Sequence, residues 1–400
     1  MLSVGQTTNK PLAGLRVLDL SRVLAGPFCC ALLGEAGADV IKVERPGKGD
    51  ENRRWGHLWH GESLDFMNVN RNKRGITVNL NHPSGQAVIK RLSRRADILV
   101  ENFVPGTLDR FGLGYEALAA ENPRLVYCSI SAYGLKGPMR TKPGYDGAIQ
   151  AFSGHMAITG EADGGPVRSG ASMIDMATGF TAYSAVLTAV ISRAQTGQGQ
   201  RISASLLQTA LSLMGAHAAV YLMTGHQPKR AGSGVSHLAP YGAYKTKDAH
   251  VVVGTLNEDA WGKLCAVLEL PELVDDERFN DPQKRVTNRK LLDTMLSEVF
   301  VVKPSAEWVD KFENAGLVIS PVQTLSEVMR HPQVLENNML NNISHPYGEL
   351  TLVGAPFSME SDVLTPRLPP PLLGQHTEEV LLEFDYSKSE IKNLRDEGAI

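Results

Sequence analysis

The 400-residue sequence has few cysteines and a small net charge, and each of these features excludes a class of protein. Its 4 cysteines stand at positions 29, 30, 128 and 265, without a Cys-x-x-Cys pair. This spacing indicates neither a disulfide framework nor a zinc site, and it is typical of a reducing compartment. The formal net charge of −3 includes no large basic excess, so we expect neither nucleic acid nor a membrane as a partner.

Long hydrophobic runs are also missing. Apolar stretches are interrupted by Gly, Ser or His before about 18 residues, the length that predicts a membrane-spanning helix. The opening MLSVGQTTNK has no apolar core and no Arg-rich amphipathic pattern, so it predicts no targeting peptide. We therefore expect a cytoplasmic protein, or a mitochondrial matrix protein from which a leader was removed.

Two common catalytic signatures are absent from the sequence. The 11 histidines include no His-Glu-x-x-His spacing, so no metal site is predicted. No Gly-x-Ser-x-Gly segment is present either, and a hydrolase triad is therefore not supported.

Strands alternate with helices in the first third of the chain, which predicts an α/β fold with a parallel sheet covered on both faces. Predicted strands cover residues 15–20, 38–44, 97–101 and 125–130, and predicted helices cover 27–37, 84–95 and 115–121. Later predicted helices cover 178–195, 202–224, 257–268 and 377–384, with strands at 241–245, 251–254 and 350–353. The chain exceeds one ordinary core, so two domains are expected.

The expected division starts with a large domain at 12–200 and a linker helix at 201–225. A smaller α+β domain follows at 226–325, and a C-terminal segment occupies 326–400. Ala, Leu and Met at helical spacing favour the linker helix. The new strands at 241–245 and 251–254 favour the α+β domain.

A lone carboxylate, Asp175, stands where a helix is predicted to begin, after a stretch rich in Gly and Ser. A carboxylate there accepts backbone N–H bonds and lies at the positive end of the helix dipole, so we expect it to stay ionised. In a dry pocket such a group attacks an activated acyl group without a general base. Simple helix capping is the alternative, and from this segment alone it is the more common role.

The first β-α-β unit invites a dinucleotide-binding interpretation, because Glu44 ends the second strand like a ribose-binding acid. The loop at 21–27 lacks G-x-G-x-x-G, however, so a dehydrogenase is not favoured. A ligand at the carboxyl ends of the strands is still expected.

Residues that directly follow two predicted strands suggest which ligand this is. Arg45 follows the second strand, and Asn102, Phe103 and Arg110 follow the third. Phe103 can stack on a flat heterocycle, and the Arg110 guanidinium can hold a phosphate. Each residue alone can equally be structural. Together they point to an adenine ring with several phosphates, as in coenzyme A.

Further candidates lie in loops. Tyr145 stands in a turn before Asp175, with packing as its alternative role. The loop at 231–235 contains Gly232 and Gly234, whose N–H groups can face a reacting carbonyl, and an interdomain hinge is the alternative. A dicarboxylate substrate needs a cation, and we expect Arg71 or Arg168 to supply it. A structural ion pair is at least as common for either arginine.

The segments, in their order, resemble the class III coenzyme A-transferases, the family of formyl-CoA transferase and carnitine CoA-transferase. Nearly the whole chain carries this resemblance, through residues 14–19, 25–27, 37–45, 70–73, 101–103, 175, 353–356 and 371–377. Within the family the sequence is most similar to the succinyl-CoA:glutarate CoA-transferase group, at 19–28, 129–134, 166–170, 237–241 and 369–376.

The resemblance implies a large Rossmann-like domain built from both chain ends, a small domain between them and an interlocked homodimer. It implies a CoA thioester as substrate, with no tightly bound cofactor, and transfer of CoA from succinyl-CoA to a dicarboxylic acid such as glutarate. Asp175 then matches the catalytic aspartate, which forms an aspartyl–acyl anhydride and an aspartyl–CoA thioester. The implied CoA-pocket positions are Val23, Arg45, Val78, Asn102, Phe103, Arg110 and Tyr145.

Two alternatives remain open under the same resemblance. Acyl-CoA racemases of this fold carry a Gly-His-Asp triplet, which here reads Gly144-Tyr145-Asp146. Tyrosine, with a pKa of about 10, is a poor base at neutral pH. A non-catalytic CoA-binding protein is the other alternative, and the presence of Asp175 argues against it. The family's run of glycines is reduced here to Gly232-Ser233-Gly234.

Overall fold

The computed structural model of the chain describes residues 10–360, 364 and 366–400. The strands are β1 Arg16–Asp19, β2 Asp39–Glu44, β3 Leu58–Trp59, β4 Glu62–Ser63, β5 Lys73–Thr77, β6 Ile98–Glu101, β7 Val126–Ser131, β8 Arg201–Ser205, β9 Tyr241–Lys245, β10 His250–Gly254, β11 Ile319–Pro321, β12 Leu340–His345 and β13 Gly348–Val353.

The α-helices are α1 Ala25–Glu35, α2 Leu64–Asn70, α3 Pro83–Ser93, α4 Thr107–Arg110, α5 Tyr115–Glu121, α6 Asp146–Phe152, α7 His155–Ile158, α8 Met173–Thr196, α9 Leu206–Leu213, α10 Ala216–Thr224, α11 Glu258–Val267, α12 Pro282–Thr287, α13 Arg289–Phe300, α14 Ser305–Asn314, α15 Leu325–Val328, α16 Pro332–Glu336, α17 Thr377–Glu383 and α18 Lys388–Asp396. Short 3₁₀ turns lie at Glu51–Arg54 and Pro271–Val274.

These elements form two units. The first comprises the chain up to Ile149 together with Ala171–Leu213 and Pro332–Ile400. The second comprises Gln150–Gly170 and Met214–His331.

The main sheet of the first unit has six parallel strands in the order β5-β2-β1-β6-β7-β8. Counted along the chain within this sheet the order is 3-2-1-4-5-6, the doubly wound Rossmann order. The winding reverses between β1 and β6, and a crevice is expected at the carboxyl ends of these two strands. The predicted Rossmann-like parallel fold is therefore confirmed.

Burial on both faces of the sheet explains the consecutive apolar residues of its inner strands, such as Val17-Leu18 in β1 and Ile98-Leu99-Val100 in β6. In β1, Val17 and Leu18 are fully buried and belong to two different cores, one on each face of the sheet. Helices α1 and α8 contribute to the first core, and α3 and α17 contribute to the second. Helices α1 and α8 approach closely at Gly179, where a Cβ would lie 2.8 Å from the Ala25 carbonyl oxygen.

Helix α8 has the length and composition of a membrane span, although no membrane-spanning helix is predicted from the sequence. Its 24 residues are long and apolar enough to cross a membrane by length and composition alone. One face of the helix nevertheless packs into the first core through Ile174, Ala182, Val186 and Ala189. Near its C-terminus, buried Arg193 forms an ion pair with Asp97 at 3.1 Å. In this structure α8 is a core helix of the first unit.

The predicted helix at 202–224, and with it the start of the linker helix at 201–225, is wrong. Arg201–Ser205 forms β8, the edge strand that pairs with β7. Ile202 and Ala204 alternate with polar residues as a strand requires, and helical spacing begins only at Leu206. The remaining residues divide into the separate helices α9 and α10.

The second unit contains an antiparallel sheet in the order β11-β10-β9. Its core includes Trp261 of α11, Phe300 of α13, and Trp308 and Phe312 of α14. The Phe300 and Trp308 rings pack edge to face, with centroids 5.2 Å apart. The predicted smaller α+β part of the fold, including strands β9 and β10 and helix α11, is confirmed.

The C-terminal segment covers the exposed edge of the main sheet at β5. The Gly75 N–H donates to His376 Nδ1 at 3.0 Å, and the Thr77 N–H donates to Thr377 Oγ1 at 3.1 Å. Arg74 forms an ion pair with Glu383 at 2.6 Å. An unpaired strand edge is thus satisfied by the chain's own residues.

Buried ion pairs anchor the region beneath the crevice. Lys73 Nζ lies 2.7 Å from Asp19 Oδ2, and both side chains have 0% exposure. The same ammonium donates to the Pro27 carbonyl at 2.8 Å and to Asn70 Oδ1 at 2.9 Å. All three of its protons therefore have acceptors, and the 70–73 block acts as a structural anchor for the first β-α turn.

We predict that Lys73→Met destabilises the first unit by about 3–5 kcal/mol, because it leaves the Asp19 carboxylate buried without its partner. Denaturant unfolding measures this change. Lys392→Met is the matched control, since Lys392 is an exposed lysine paired with Asp396 at 3.7 Å. It should cost less than about 1 kcal/mol. Equal costs for the two variants would contradict the anchoring role.

Candidate active site

A cavity of about 310 Å³ lies at the carboxyl ends of β1, β2, β5 and β6, where the sheet reverses its winding. Basic, apolar and aromatic side chains share its wall, which includes Leu20, Arg22, Lys42, Val43, Arg45, Val78, Phe103 and Phe111. The wall also contains three acids, Glu44, Asp50 and Glu51, each of which forms an ion pair. Such a mixture suits a ligand that has both a flat ring and anionic groups. Among the predicted coenzyme A positions, Arg45, Val78 and Phe103 line the cavity.

Arg45 is exposed on this wall, and its guanidinium has no ion pair within the described part of the chain. A structural role for Arg45 would be an ion pair with one of the nearby acids, Glu44 or Asp50. Both acids are occupied, because Arg53 binds Glu44 at 2.8 Å and Lys42 binds Asp50 at 3.0 Å. The Arg45 guanidinium therefore remains available for an anionic ligand.

Phe103 is fixed in the cavity wall by a hydrogen bond to its backbone and by a cation that contacts its ring. Its backbone N–H donates to the buried carboxylate of Glu101 at 2.9 Å. The Arg22 guanidinium lies 5.0 Å from the centre of the Phe103 ring. Glu51 orients this guanidinium through an ion pair at 2.6 Å. An aromatic surface and a cation thus face the same cavity.

The turn after β1 is conformationally strained and tightly bound. Val23 has a φ of 69°, which is unfavourable for a β-branched residue. Asp50 accepts the Val23 N–H at 3.1 Å, and the Asn52 amide donates to the Val23 carbonyl at 2.7 Å. The Asn102 amide binds both backbone groups of Arg22, at 2.8 and 2.7 Å. Val23 and Asn102 therefore shape the turn that carries Arg22.

Two other predicted positions lie outside the residues that line the cavity. Arg110 is the last residue of α4, and its guanidinium lies 3.4 Å from the hydroxyl of Thr107, which does line the cavity. Tyr145 directly precedes α6 and is 73% exposed. Their roles toward a ligand remain predictions.

Asp175 lies in the first turn of α8 but does not cap it, which corrects the predicted start of this helix. The helix begins at Met173, and Ser172 before it makes no side-chain cap bond. The cap is Asp146, whose Oδ2 accepts the N–H of Ile174 at 2.8 Å and that of Asp175 at 3.1 Å. The Asp175 carboxylate itself has no hydrogen bond or ion pair to the residues that the structure describes.

Burial, together with the neighbouring Asp146 carboxylate, raises the pKa of Asp175 to about 7. The prediction that Asp175 stays fully ionised is therefore wrong at neutral pH. The helix dipole does not prevent this, because Asp146 already takes the first-turn N–H groups that were expected to stabilise Asp175. Once deprotonated, a carboxylate of raised pKa is the more reactive base and nucleophile.

Arg71 and Arg168, the two candidates for binding an acceptor carboxylate, differ sharply. The Arg71 guanidinium pairs with Glu35 inside the first unit, and their side chains are 3% and 0% exposed. Arg71 therefore forms a buried structural ion pair, and the prediction that it binds the acceptor carboxylate is wrong. Arg168 is exposed in the second unit and donates to the Ser169 carbonyl at 2.9 Å.

The two glycines of the 231–235 loop do not offer free N–H groups in this conformation. The Gly232 N–H donates to the Gly160 carbonyl at 3.0 Å, and the Gly234 N–H donates to the Ala231 carbonyl at 2.9 Å. Gly232 also has a φ of 59°, which favours glycine. The predicted use of both N–H groups as oxyanion donors does not fit this arrangement.

The fold and the site together define a Rossmann-type protein. Its cavity lies at the topological switch point of the sheet and is lined by aromatic and basic side chains. The protein also presents an unpaired carboxylate in the first turn of a core helix. Residues 12–377 match the family model of CoA-transferase family III.

The chain is 42% identical to a succinyl-CoA:glutarate CoA-transferase of Mus musculus over 394 residues, 98% of this chain and 90% of that protein. It is 34% identical to a succinate–glutarate CoA-transferase of Agrobacterium fabrum over 383 residues, 94% of this chain and 96% of that protein. A crystal structure of a CAIB/BAIF family protein from Brucella suis matches with a TM-score of 0.85 and 36% identity, over 94% of this chain and 100% of that one.

The chain belongs to CoA-transferase family III. It is an enzyme that transfers coenzyme A, and its substrate is a CoA thioester. The resemblance and the predicted enzyme class are confirmed.

Three residues of the site were missed in the sequence. Arg22 and Glu51 line the cavity, and Asp146 binds the start of α8. Arg22 stands three residues after the end of β1, which is a usable signal for a ligand contact. Asp146 carries no comparable signal, because its partners are 28 and 29 residues away in the chain.

We predict that Asp146→Asn shifts the pH dependence of kcat/KM for the CoA thioester to lower pH. Activity of the wild type should rise as Asp175 loses its proton, through a midpoint of about 7. The asparagine oxygen still accepts the two N–H groups, but removing a negative neighbour lowers the pKa of Asp175.

A pH–rate profile measured from pH 5 to pH 9 checks this prediction. Tyr145→Phe is the control, because it changes the adjacent residue without changing its charge at these pH values. An unmoved acidic limb in Asp146→Asn would contradict the link between the two carboxylates.

Proposed function

We propose that this enzyme transfers CoA from succinyl-CoA, or a similar acyl-CoA, to a small dicarboxylic acid such as glutarate. The observation that carries the proposal is the unpaired carboxylate of Asp175 in the first turn of α8, a helix with one face in the core. The names of the mouse and Agrobacterium relatives support the choice of substrates.

The proposed chemistry uses the Asp175 carboxylate as a nucleophile. Its oxygen attacks the thioester carbonyl, the C–S bond breaks, and CoA leaves as a thiolate from an aspartyl–acyl anhydride. The thiolate then attacks the aspartyl carbonyl and releases the donor acid, which leaves an aspartyl–CoA thioester. The acceptor carboxylate displaces CoA from that thioester, and the thiolate takes the new acyl group while Asp175 is released.

The surroundings of Asp175 suit this sequence of steps. Asp146 holds the first turn of α8, so the nucleophile has a defined backbone position. No neighbouring cation needs to be displaced before the carboxylate attacks, since none is paired with it in the described residues. The thioester consumed and the thioester formed are alike, so the overall reaction exchanges bonds of similar energy. Water must be excluded, because both intermediates hydrolyse readily.

For the CoA moiety we propose the cavity at the switch point of the sheet. Phe103 offers a ring for stacking the adenine base, and Val78 supplies apolar contact beside it. Arg45 and Arg22 supply positive charge for phosphates. Arg110 adds a further positive charge next to Thr107, which lines the cavity.

We also propose the interlocked homodimer that the resemblance implies. Helix α10 has no buried residue, and its Leu222 and Met223 side chains are 78% and 84% exposed. An apolar helix surface of this kind is stabilised when a second copy covers it. Sedimentation velocity should give the mass of two chains, and a monomer at micromolar concentration would contradict the dimer.

We predict that Asp175→Ala abolishes CoA transfer from succinyl-CoA to glutarate, with a loss of at least about a thousandfold in kcat. The Asp175 side chain is the only group of the protein that acts as a nucleophile in the proposed scheme. Liquid chromatography of the CoA esters measures the transfer, and circular dichroism verifies the fold of the variant.

Residual transfer near the wild-type rate in Asp175→Ala would contradict the proposal. So would a wild type that exchanges the α-proton of a branched acyl-CoA and transfers no CoA, because that is the racemase reaction.

We predict that Arg168→Ala lowers kcat/KM for glutarate by about tenfold relative to a monocarboxylate such as butyrate, because a charge-assisted bond to the distal carboxylate is lost. Arg168→Lys should recover part of the difference. Arg278→Ala is the control, since Arg278 is another exposed arginine of the second unit. An unchanged glutarate-to-butyrate ratio would remove Arg168 from the acceptor site.

A further inference from the structure

In the turn between β1 and α1, side chains from other segments bind every backbone polar group of Arg22 and Val23. The Asn102 amide accepts the Arg22 N–H at 2.8 Å and donates to the Arg22 carbonyl at 2.7 Å. The Val23 N–H donates to Asp50, with 3.1 Å to each carboxylate oxygen, and the Val23 carbonyl accepts the Asn52 amide at 2.7 Å. Three side chains thus define the path of two consecutive residues.

The contacts at Val23 oppose a conformational cost. Its φ of 69° lies in the left-handed region, which a β-branched side chain disfavours. Glycine adopts the same conformation without this cost. A strained residue keeps such a conformation only when its surroundings determine it, and at Val23 these surroundings are the side chains of Asp50 and Asn52.

Asp50 lines the same cavity as Arg22, but its negative charge is already paired. Its side chain has 0% exposure and lies 3.0 Å from Lys42 Nζ. Burial opposes the charged form of Lys42, yet Asp50 and other carboxylates raise the pKa of this lysine above its ordinary value. The Asp50 N–H donates to Glu44 at 2.9 Å, and Arg53 binds Glu44 in turn. Asp50 is therefore fixed to β2, and its oxygens serve the protein rather than a ligand.

We propose that Asp50 is a positioning residue that, together with Asn52, holds Val23 in its strained conformation and thereby fixes Arg22 toward the phosphates of the CoA moiety. This inference rests on the proposed function for the identity of the ligand in the cavity. Asp50 touches no reacting atom in this scheme. It acts through the turn, whose backbone sets the direction of the Arg22 side chain.

The direction of Arg22 matters because its guanidinium contacts two other groups of the cavity wall. It pairs with Glu51 at 2.6 Å and lies 5.0 Å from the centre of the Phe103 ring. Glu51 directly follows Asp50 in the chain, so one short segment determines both the backbone of the turn and the direction of the guanidinium. Binding of a ring with attached phosphates therefore depends on the turn, whereas binding of a thioester without them does not.

The experiment compares two thioesters in transfer to glutarate. One is succinyl-CoA, and the other is succinyl-pantetheine, which lacks the adenine nucleotide and its phosphates. The variants are Asp50→Asn and Asn52→Ala. Asp97→Asn is the matched control, because Asp97 also accepts a backbone N–H, from Arg16 at 2.9 Å, and forms an ion pair, with Arg193 at 3.1 Å. It lies at the amino ends of β1 and β6, whereas the cavity lies at the carboxyl ends.

We expect Asp50→Asn to lower kcat/KM for succinyl-CoA about tenfold, as the loss of a charge-assisted hydrogen bond implies, and to leave kcat/KM for succinyl-pantetheine unchanged. Asn52→Ala should lower the ratio of the two values by a smaller factor, while Asp97→Asn leaves it unchanged. A role in stability alone lowers both values equally. An unchanged ratio in a folded Asp50→Asn therefore overturns the proposal, and if that variant does not fold, an unchanged ratio in Asn52→Ala overturns it.

Val23→Gly tests the strain directly. Because glycine adopts a positive φ readily, the turn depends less on Asp50 when residue 23 has no side chain. In a double-mutant cycle, the loss in the ratio caused by Asp50→Asn should be smaller when Val23→Gly is also present. An equal loss with and without Val23→Gly overturns the role of Asp50 in holding Val23.

Amide hydrogen exchange separates this inference from the proposed function. If Asp50 holds the turn, the peptides that cover residues 20–27 exchange faster in Asp50→Asn than in the wild type, whatever ligand the cavity binds. Equal exchange rates overturn the positioning role even when transfer to glutarate is observed. Faster exchange, in an enzyme whose wild type does not prefer succinyl-CoA to succinyl-pantetheine, supports the positioning role and removes only its link to CoA.

Discussion

The contact between the Asp146 carboxylate and the first turn of α8 is the interaction on which the active site depends. It supplies the cap that Ser172 does not provide, and it takes the N–H groups of Ile174 and Asp175. The same contact places a negative charge beside the Asp175 carboxylate, and burial together with this charge raises the pKa of Asp175 to about 7. The Asp146 carboxylate thus fixes the backbone position of Asp175 and adds to the effect of burial on its pKa.

Features that depend on neighbouring residues in the sequence could be predicted, whereas features that depend on residues far apart in the chain could not. Strands β1 and β2 and helix α5 follow from local apolar patterns, as does the ligand crevice at the carboxyl ends of the strands. The raised pKa of Asp175 depends on burial and on Asp146, 29 residues earlier, and Arg71 is buried against Glu35, 36 residues earlier. No local pattern reveals such pairs. Strand β8 was missed because its alternation is short and precedes a helix directly.

The sequence blocks shared with the family divide into two physical roles. Lys73 and His376 act inside the first unit, where they anchor the β1–α1 turn and cover the edge of β5. Arg45 and Phe103 face the cavity and remain available to a ligand. Some sequence blocks that resemble the family therefore stabilise the fold, and others line the cavity. Only the contacts in the structure distinguish these two roles.

The central claim is that Asp175 becomes covalently linked during transfer. The most direct measurement is mass spectrometry of the enzyme after incubation with succinyl-CoA and hydroxylamine in the absence of acceptor. The account predicts a hydroxamate on the peptide that contains Asp175, and none on that peptide in Asp175→Asn. An unmodified Asp175 in an enzyme that still transfers CoA, or a hydroxamate on a different residue, would contradict it.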